Sequence, residues 1–188
     1  MCKRFVFVAV CCFCLAGLIG CEEEKEGRVQ DLGAISVRIP EGWTIEPPSS
    51  RMRKAQYVLP RQGQDPEDAS LVVFHFGPGQ GGSVEANLKR WYGQFRQPDG
   101  RPSGEVARVT RKTVSGMRVT AADVSGTYAP AAMGPMVPAG EPKPNFRMLA
   151  AIVESPQGPY FFKLTGPEGT VGHWKGAFDR FIESVRKK

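Results

Sequence analysis

Lys163 sits inside the run Tyr160-Phe161-Phe162-Lys163-Leu164, where its neighbours are aromatic or aliphatic. An unpaired ammonium is costly to bury, so this side chain must reach water or an acid. Two readings follow: a lysine near a strand end that snorkels to the surface, or a charged contact lining a groove near a helix start. Arg90 and Asn87 lie off the apolar stripe of a helical segment and pose the same choice, pinning that helix to nearby loops or meeting a ligand. Gly77, Gly79 and Gly82 have the spacing G-x-G-x-x-G, and Gly81 and Gly82 directly precede the helix. A dinucleotide loop would need a parallel β-α-β unit and an acidic residue about 20 positions on, and neither is visible. The glycines therefore read as a sharp turn that exposes a helix N-terminus, where an anion could sit; no nucleotide cofactor, nor any other, is expected. His75 and His173 are the two histidines. The first reads as a satisfied residue of a strand and the second as a surface residue, too thin a supply for a metal site. Asp65, Glu67 and Asp68 fall in a polar turn region and read as a solvated loop. With no G-x-S-x-G elbow either, the chain carries no recognisable catalytic set and is not expected to be an enzyme.

A different chemistry stands at the N-terminus. Lys3 and Arg4 precede an uncharged apolar run over residues 5–19, and Glu22, Glu23 and Glu24 follow it. About 15 apolar residues are short for a membrane span, which takes roughly 20, so the run reads as an export signal. Leu18-Ile19-Gly20-Cys21 resembles the bacterial lipobox, which presents a thiol for lipid transfer and a small residue at the cleavage point. The alternative is an ordinary signal peptide with a chance cysteine at its end. All five cysteines, Cys2, Cys11, Cys12, Cys14 and Cys21, lie at or before that point, so a cut chain keeps one thiol and no internal disulfide. The resulting layout is a removed lipoprotein signal over residues 1–20, a lipidated flexible tether over 21–31 and a single domain over 32–188. Such a protein is exported and held to a cell-envelope membrane by lipid on Cys21, its domain outside the cytoplasm; the inner and outer membranes both remain open.

Loss of Lys3 and Arg4 leaves 23 basic residues against 19 acidic ones, a net charge of +4. The basic residues are scattered without interleaved aromatics, so nucleic acid is not an expected partner. Ile35, Val37 and Ile39 alternate with polar residues and predict a strand, followed by strands over residues 55–59 and 71–76. Val84, Leu88, Trp91, Tyr92 and Phe95 form one helical stripe, predicting a helix over 83–97 with Ser83 as N-cap. Strands over 106–114 and 117–127 meet at Ser115-Gly116, and strands over 146–154 and 160–164 make a second hairpin. Val171, Trp174, Phe178, Phe181, Ile182 and Val185 mark the closing helix. The order β-β-β-α-β-β-β-β-α describes an α+β domain whose antiparallel sheet is covered by amphipathic helices.

Several local patterns resemble the PsbP/Mog1-type family, in particular its small bacterial lipoprotein members. They are Pro40-Glu41-Gly42-Trp43, Gly81-Gly82-Ser83 with Asn87, Arg90 and Trp91, Gly126-Thr127-Tyr128, and Phe162-Lys163-Leu164-Thr165-Gly166-Pro167. The resemblance implies an α/β/α sandwich with an antiparallel sheet of about six to seven strands between helices. It also implies a use in binding proteins: photosystem subunits in plants and a small GTPase in the nuclear relatives, neither of which transfers to this chain. Residues 129–145 form a proline-rich loop longer than the usual limit of about 12–15 residues. Its Met133 and Met136 suit an apolar partner, although a loop with no partner fits the composition equally. The expected function is that of a noncatalytic, membrane-anchored envelope lipoprotein binding an unidentified protein or assembly. The alternative is a carrier of small molecules or anions, or a hydrolase, using a groove lined by Lys163, Arg90 and His75.

Overall fold

A computed structural model describes residues 27–130 and 140–188. Cys21, Met133 and Met136 lie outside the described residues. The chain runs through β1 (Val29–Asp31), β2 (Ile35–Arg38), β3 (Thr44–Glu46), β4 (Arg53–Leu59) and β5 (Ala69–His75). Helix α1 (Val84–Tyr92), strand β6 (Phe95–Arg96) and the one-turn α2 (Ser103–Val106) follow. After them come β7 (Arg108–Val114), β8 (Met117–Tyr128), β9 (Lys143–Ser155), β10 (Gly158–Pro167), α3 (Glu168–Glu183) and β11 (Arg186–Lys187).

Eight strands form the main sheet in the order β3-β4-β5-β10-β9-β8-β6, with β7 also pairing β8. Every pair in it is antiparallel. The architecture is α+β, with more strands than the six to seven expected because β3 and β6 are too short to show an alternation. The first strand expected from sequence belongs elsewhere: β2 pairs with β1 and β11 in a separate three-stranded sheet. Val29–Asp31, at the end of the segment read as tether, is thus paired backbone. Tyr160 ties this small sheet to the main one, its hydroxyl donating to Leu32 O at 2.8 Å and accepting from Ala34 N at 3.1 Å.

The central strands β9 and β10 are covered on both faces over most of their length, which is why they read as nearly continuous apolar runs. Phe162 and Leu164 of β10 point into a core closed by Val171, Phe178, Phe181 and Ile182 of α3. Their neighbour Phe161 points the other way, as do Met148, Ala150 and Ile152 of β9, under Leu88 and Trp91 of α1. Each large side chain so buried contributes roughly 1.5–3 kcal/mol. The sheet is therefore layered between α1 and α2 on one face and α3 on the other.

Local chemistry sets the element ends. Ser115 and Gly116 both take positive φ, 48° and 75°, the tight turn that joins β7 to β8. Ser83 caps α1 by accepting from Ala86 N at 3.1 Å. The helix stops at Gly93, short of the expected residue 97, because Phe95 and Arg96 leave it to pair with Tyr128 and Thr127. Pro167 opens α3 without a side-chain cap, and Asp65 supplies one from a distant loop, accepting from Thr170 N and from Thr170 Oγ1, both at 2.6 Å. The polar turn is correspondingly not free in solvent: Glu67 binds Lys143 Nζ, and Asp68 accepts from Arg61 N at 2.8 Å.

A candidate ligand groove on the α1 face of the sheet

Alternation along β10 places Phe161, Lys163 and Thr165 on the α1 face, opposite Tyr160, Phe162 and Leu164. Helix α1 covers the first of these, Trp91 meeting the Phe161 ring edge-on at 6.4 Å. Because the helix is only nine residues long, it leaves the face over β4, β5 and the far half of β10 open. The result is a groove of about 930 Å³, floored by Val72, Phe74, Phe161 and Lys163 and walled by Arg90, Gln94, Tyr128 and Phe146. Aromatic contacts line it: Phe74 stacks on Phe76 at 6.1 Å, and Tyr128 stacks on Phe146 at 6.0 Å.

Lys163 lies between Val72 of β5 and Ala150 of β9, in the middle of the sheet. Its Nζ donates to Gln94 Oε1 at 2.5 Å, is 3.5 Å from Tyr128 Oη, and sits 5.2 Å from the Tyr128 ring centroid. All of these partners are neutral. Among the described residues no carboxylate pairs with Lys163, and Arg90 likewise bonds to an amide, its Nη2 donating to Asn87 Oδ1 at 2.6 Å. Burial, with the Arg90 charge added, pushes the Lys163 ammonium down from 10.5 to about 8. Burial also pushes the Tyr128 phenol up. The charged lining residues are Arg53, Arg90, Lys143, Lys163 and Glu67, and the one acid is already bound by Lys143 at 2.6 and 2.7 Å. This is an apolar groove with unmet positive charge.

The sequence candidates divide around it. Lys163 and Arg90 line the groove together. Asn87 is 3% exposed and ties the preceding loop to the helix, its Nδ2 donating to Gly81 O at 2.7 Å and Ser83 O at 2.8 Å. Its role is therefore the pinning one, and through Oδ1 it also steadies Arg90. Gly81 has φ +88°, and a Cβ there would lie 2.6 Å from the Phe161 ring, so a side chain at this point would collide with the groove floor. Gly77, Gly79 and Gly82 take positive φ in the connection from β5 to α1, and β5 pairs antiparallel with β10, a setting unlike that of a dinucleotide loop.

His75 does not join the groove, contrary to the expectation that it would line one with Lys163 and Arg90. It projects to the α3 side, stacked on Tyr160 at 4.0 Å with Nδ1 3.2 Å from Pro159 O. The parity of its strand decides this, since Val72 and Phe74 take the groove face. His173 is exposed on α3 against Trp174. Gln94 and Tyr128, which hold the Lys163 amine, carried no signal by spacing; Tyr128 was visible only as the end of the Gly126-Thr127-Tyr128 segment. Among the described residues no cluster of three His, Cys, Asp or Glu side chains is placed to hold a metal ion, and no helix is long and apolar enough to cross a membrane.

No family model matches this sequence, and no curated protein matches it significantly. Solved structures similar to it include a protein of unknown function from Pseudomonas aeruginosa, at 12% identity and TM-score 0.48, covering 87% of this chain and 98% of that one. PsbP (CyanoP) from Synechocystis is similar at 13% identity and TM-score 0.48, over 82% of this chain and 87% of its own. LpqN of Mycobacterium tuberculosis, a protein involved in cell envelope biogenesis, is similar at 13% identity and TM-score 0.44, over 81% and 82%. The likeness is one of fold alone.

Proposed function

We propose that this chain is a noncatalytic binding protein of the bacterial cell envelope, held to a membrane through lipid on Cys21, that takes its partner in the Lys163 groove. One observation carries the binding role: a half-buried ammonium in an apolar groove whose hydrogen-bond partners are an amide and a phenol. A protein keeps such a charge at a cost in stability, and an anion from outside would offset that cost. The envelope location is supported by the charged start, the apolar run over residues 5–19 and the Leu18-Ile19-Gly20-Cys21 pattern. The binding reading is also supported by the place of His75, which stacks on Tyr160 on the opposite face of the sheet and does not line the groove.

Two measurements test the proposal. Acyl labelling of the protein in a bacterial host should place lipid on Cys21, and Cys21→Ser should release the domain from the membrane fraction; unchanged fractionation would refute the anchor. A photo-crosslinking residue at position 76, on the groove rim, should give adducts that a probe at position 108, on the far edge strand, does not give. Identical adducts from both positions would refute the groove. The groove volume also suits a small molecule, so an anionic metabolite is the second reading.

A further inference from the structure

Resting on the groove reading above, we infer that the occupant is an apolar segment of a protein partner that inserts one carboxylate side chain between Lys163 and Arg90. Charge complementarity supplies the anion. Among the described residues four basic residues and one acid line the groove, and the acid, Glu67, is paired with Lys143. Arg53 donates to Gln56 Oε1 at 2.5 Å, so among the described residues Arg53, Arg90 and Lys163 all have only neutral side-chain acceptors, and of the three it is Arg90 and Lys163 that act on one another. They are close enough for the Arg90 charge to disfavour that of Lys163, so a single carboxylate placed between them relieves both repulsion and desolvation.

The rim identifies the remainder of the partner. Val29, Met52, Phe76 and Val109 are the exposed large apolar side chains among the described residues, and Met52 and Phe76 both stand at this groove, 57% and 43% exposed. A slim ligand lying in the floor would leave those two in water. A polypeptide segment, with side chains spreading from its backbone, covers floor and rim together, and methionine and phenylalanine are the residue types enriched where proteins meet. Gln94, Ser70 and Thr165 add polar groups along the walls that can bond a backbone. An apolar segment with one acidic residue fits all of these features.

The test uses the full-length protein reconstituted in phosphatidylcholine nanodiscs and panned against a displayed random-peptide library. Enriched peptides are titrated by fluorescence polarisation against wild type, Lys163→Met and Arg90→Gln, with laurate as a second probe. Circular dichroism and thermal melting confirm that each variant is folded. The expected result is enrichment of peptides with one Asp or Glu flanked by large apolar residues. Their affinity should fall by about tenfold or more when the acid becomes its amide, and by a similar factor in Lys163→Met, as for loss of a charge-assisted bond. Peptides that bind both variants as well as wild type would overturn the inference. Laurate binding that depends on Lys163 without peptide enrichment would overturn the protein partner while leaving the groove as a ligand site. Absence of binding by either probe would overturn the groove reading as well.

Discussion

Replacing Lys163 with methionine removes a charge from the floor of the sheet while keeping nearly the same length of chain. The lysine is held at about 8 rather than 10.5 by burial and by Arg90, and at about 1.4 kcal/mol per pH unit that shift corresponds to a penalty of about 3 kcal/mol on the folded charged state. The substitution also strands Gln94 Oε1 and Tyr128 Oη, each worth about 0.5–1.5 kcal/mol. The balance leaves Lys163→Met more stable than wild type by about 1–2 kcal/mol at pH 7. The sign with pH follows from the depressed value: the unfolded chain holds the lysine proton more tightly than the folded one. Wild type is therefore penalised in full below pH 8 and recovers stability as pH rises toward 10.5, so the advantage of the variant should close and then reverse over that window. Urea unfolding at pH 7, 9 and 10 reads this directly. A wild type more stable than the variant at pH 7, or a gap that does not change with pH, would contradict a charged Lys163 held at a cost to the fold.

Other substitutions probe the elements that place the groove. Asp65→Ala removes the borrowed cap of α3 and should lower unfolding stability by about 1–2 kcal/mol in urea titration, with no loss if the helix start is self-sufficient. Gly81→Ala forces a Cβ to within 2.6 Å of the Phe161 ring at a φ of +88°, and should cost about 1–3 kcal/mol with an altered near-ultraviolet aromatic spectrum; an unchanged spectrum and midpoint would contradict the contact. Asp123→Ala breaks the two-pronged pair with Arg147, at 2.8 and 2.6 Å and only about one-fifth exposed, and should cost about 2 kcal/mol in the same unfolding assay.

Much of the scaffold was legible because its elements are strongly periodic. The stripe from Val84 to Trp91 located α1, Ser83 announced its cap, and the alternation of Ile35 with Val37 located β2. What was lost depended on partners far away in sequence. Periodicity alone extended α1 through Phe95, since the pairing of that residue with Tyr128 is a long-range event. The same limit hid the placement of β2 in its own sheet, which is fixed by β11 at the far end of the chain. Lys163 was conspicuous as a charge in an apolar strand, but whether it had an acid partner could not be read without knowing that Gln94 and Tyr128 meet over it. His75 shows the converse: being in the right strand says nothing of its face until register is known, and one residue of offset puts it beneath the sheet from Lys163.

Titration of the Lys163 side chain by carbon-13 NMR, with the ε carbon assigned through Lys163→Arg, measures the unmet charge itself. The expected midpoint is near 8, moving upward when an anionic peptide fills the groove. A midpoint at or above the ordinary lysine value of 10.5 in the free protein would mean that an acid already neutralises this amine, and would contradict it.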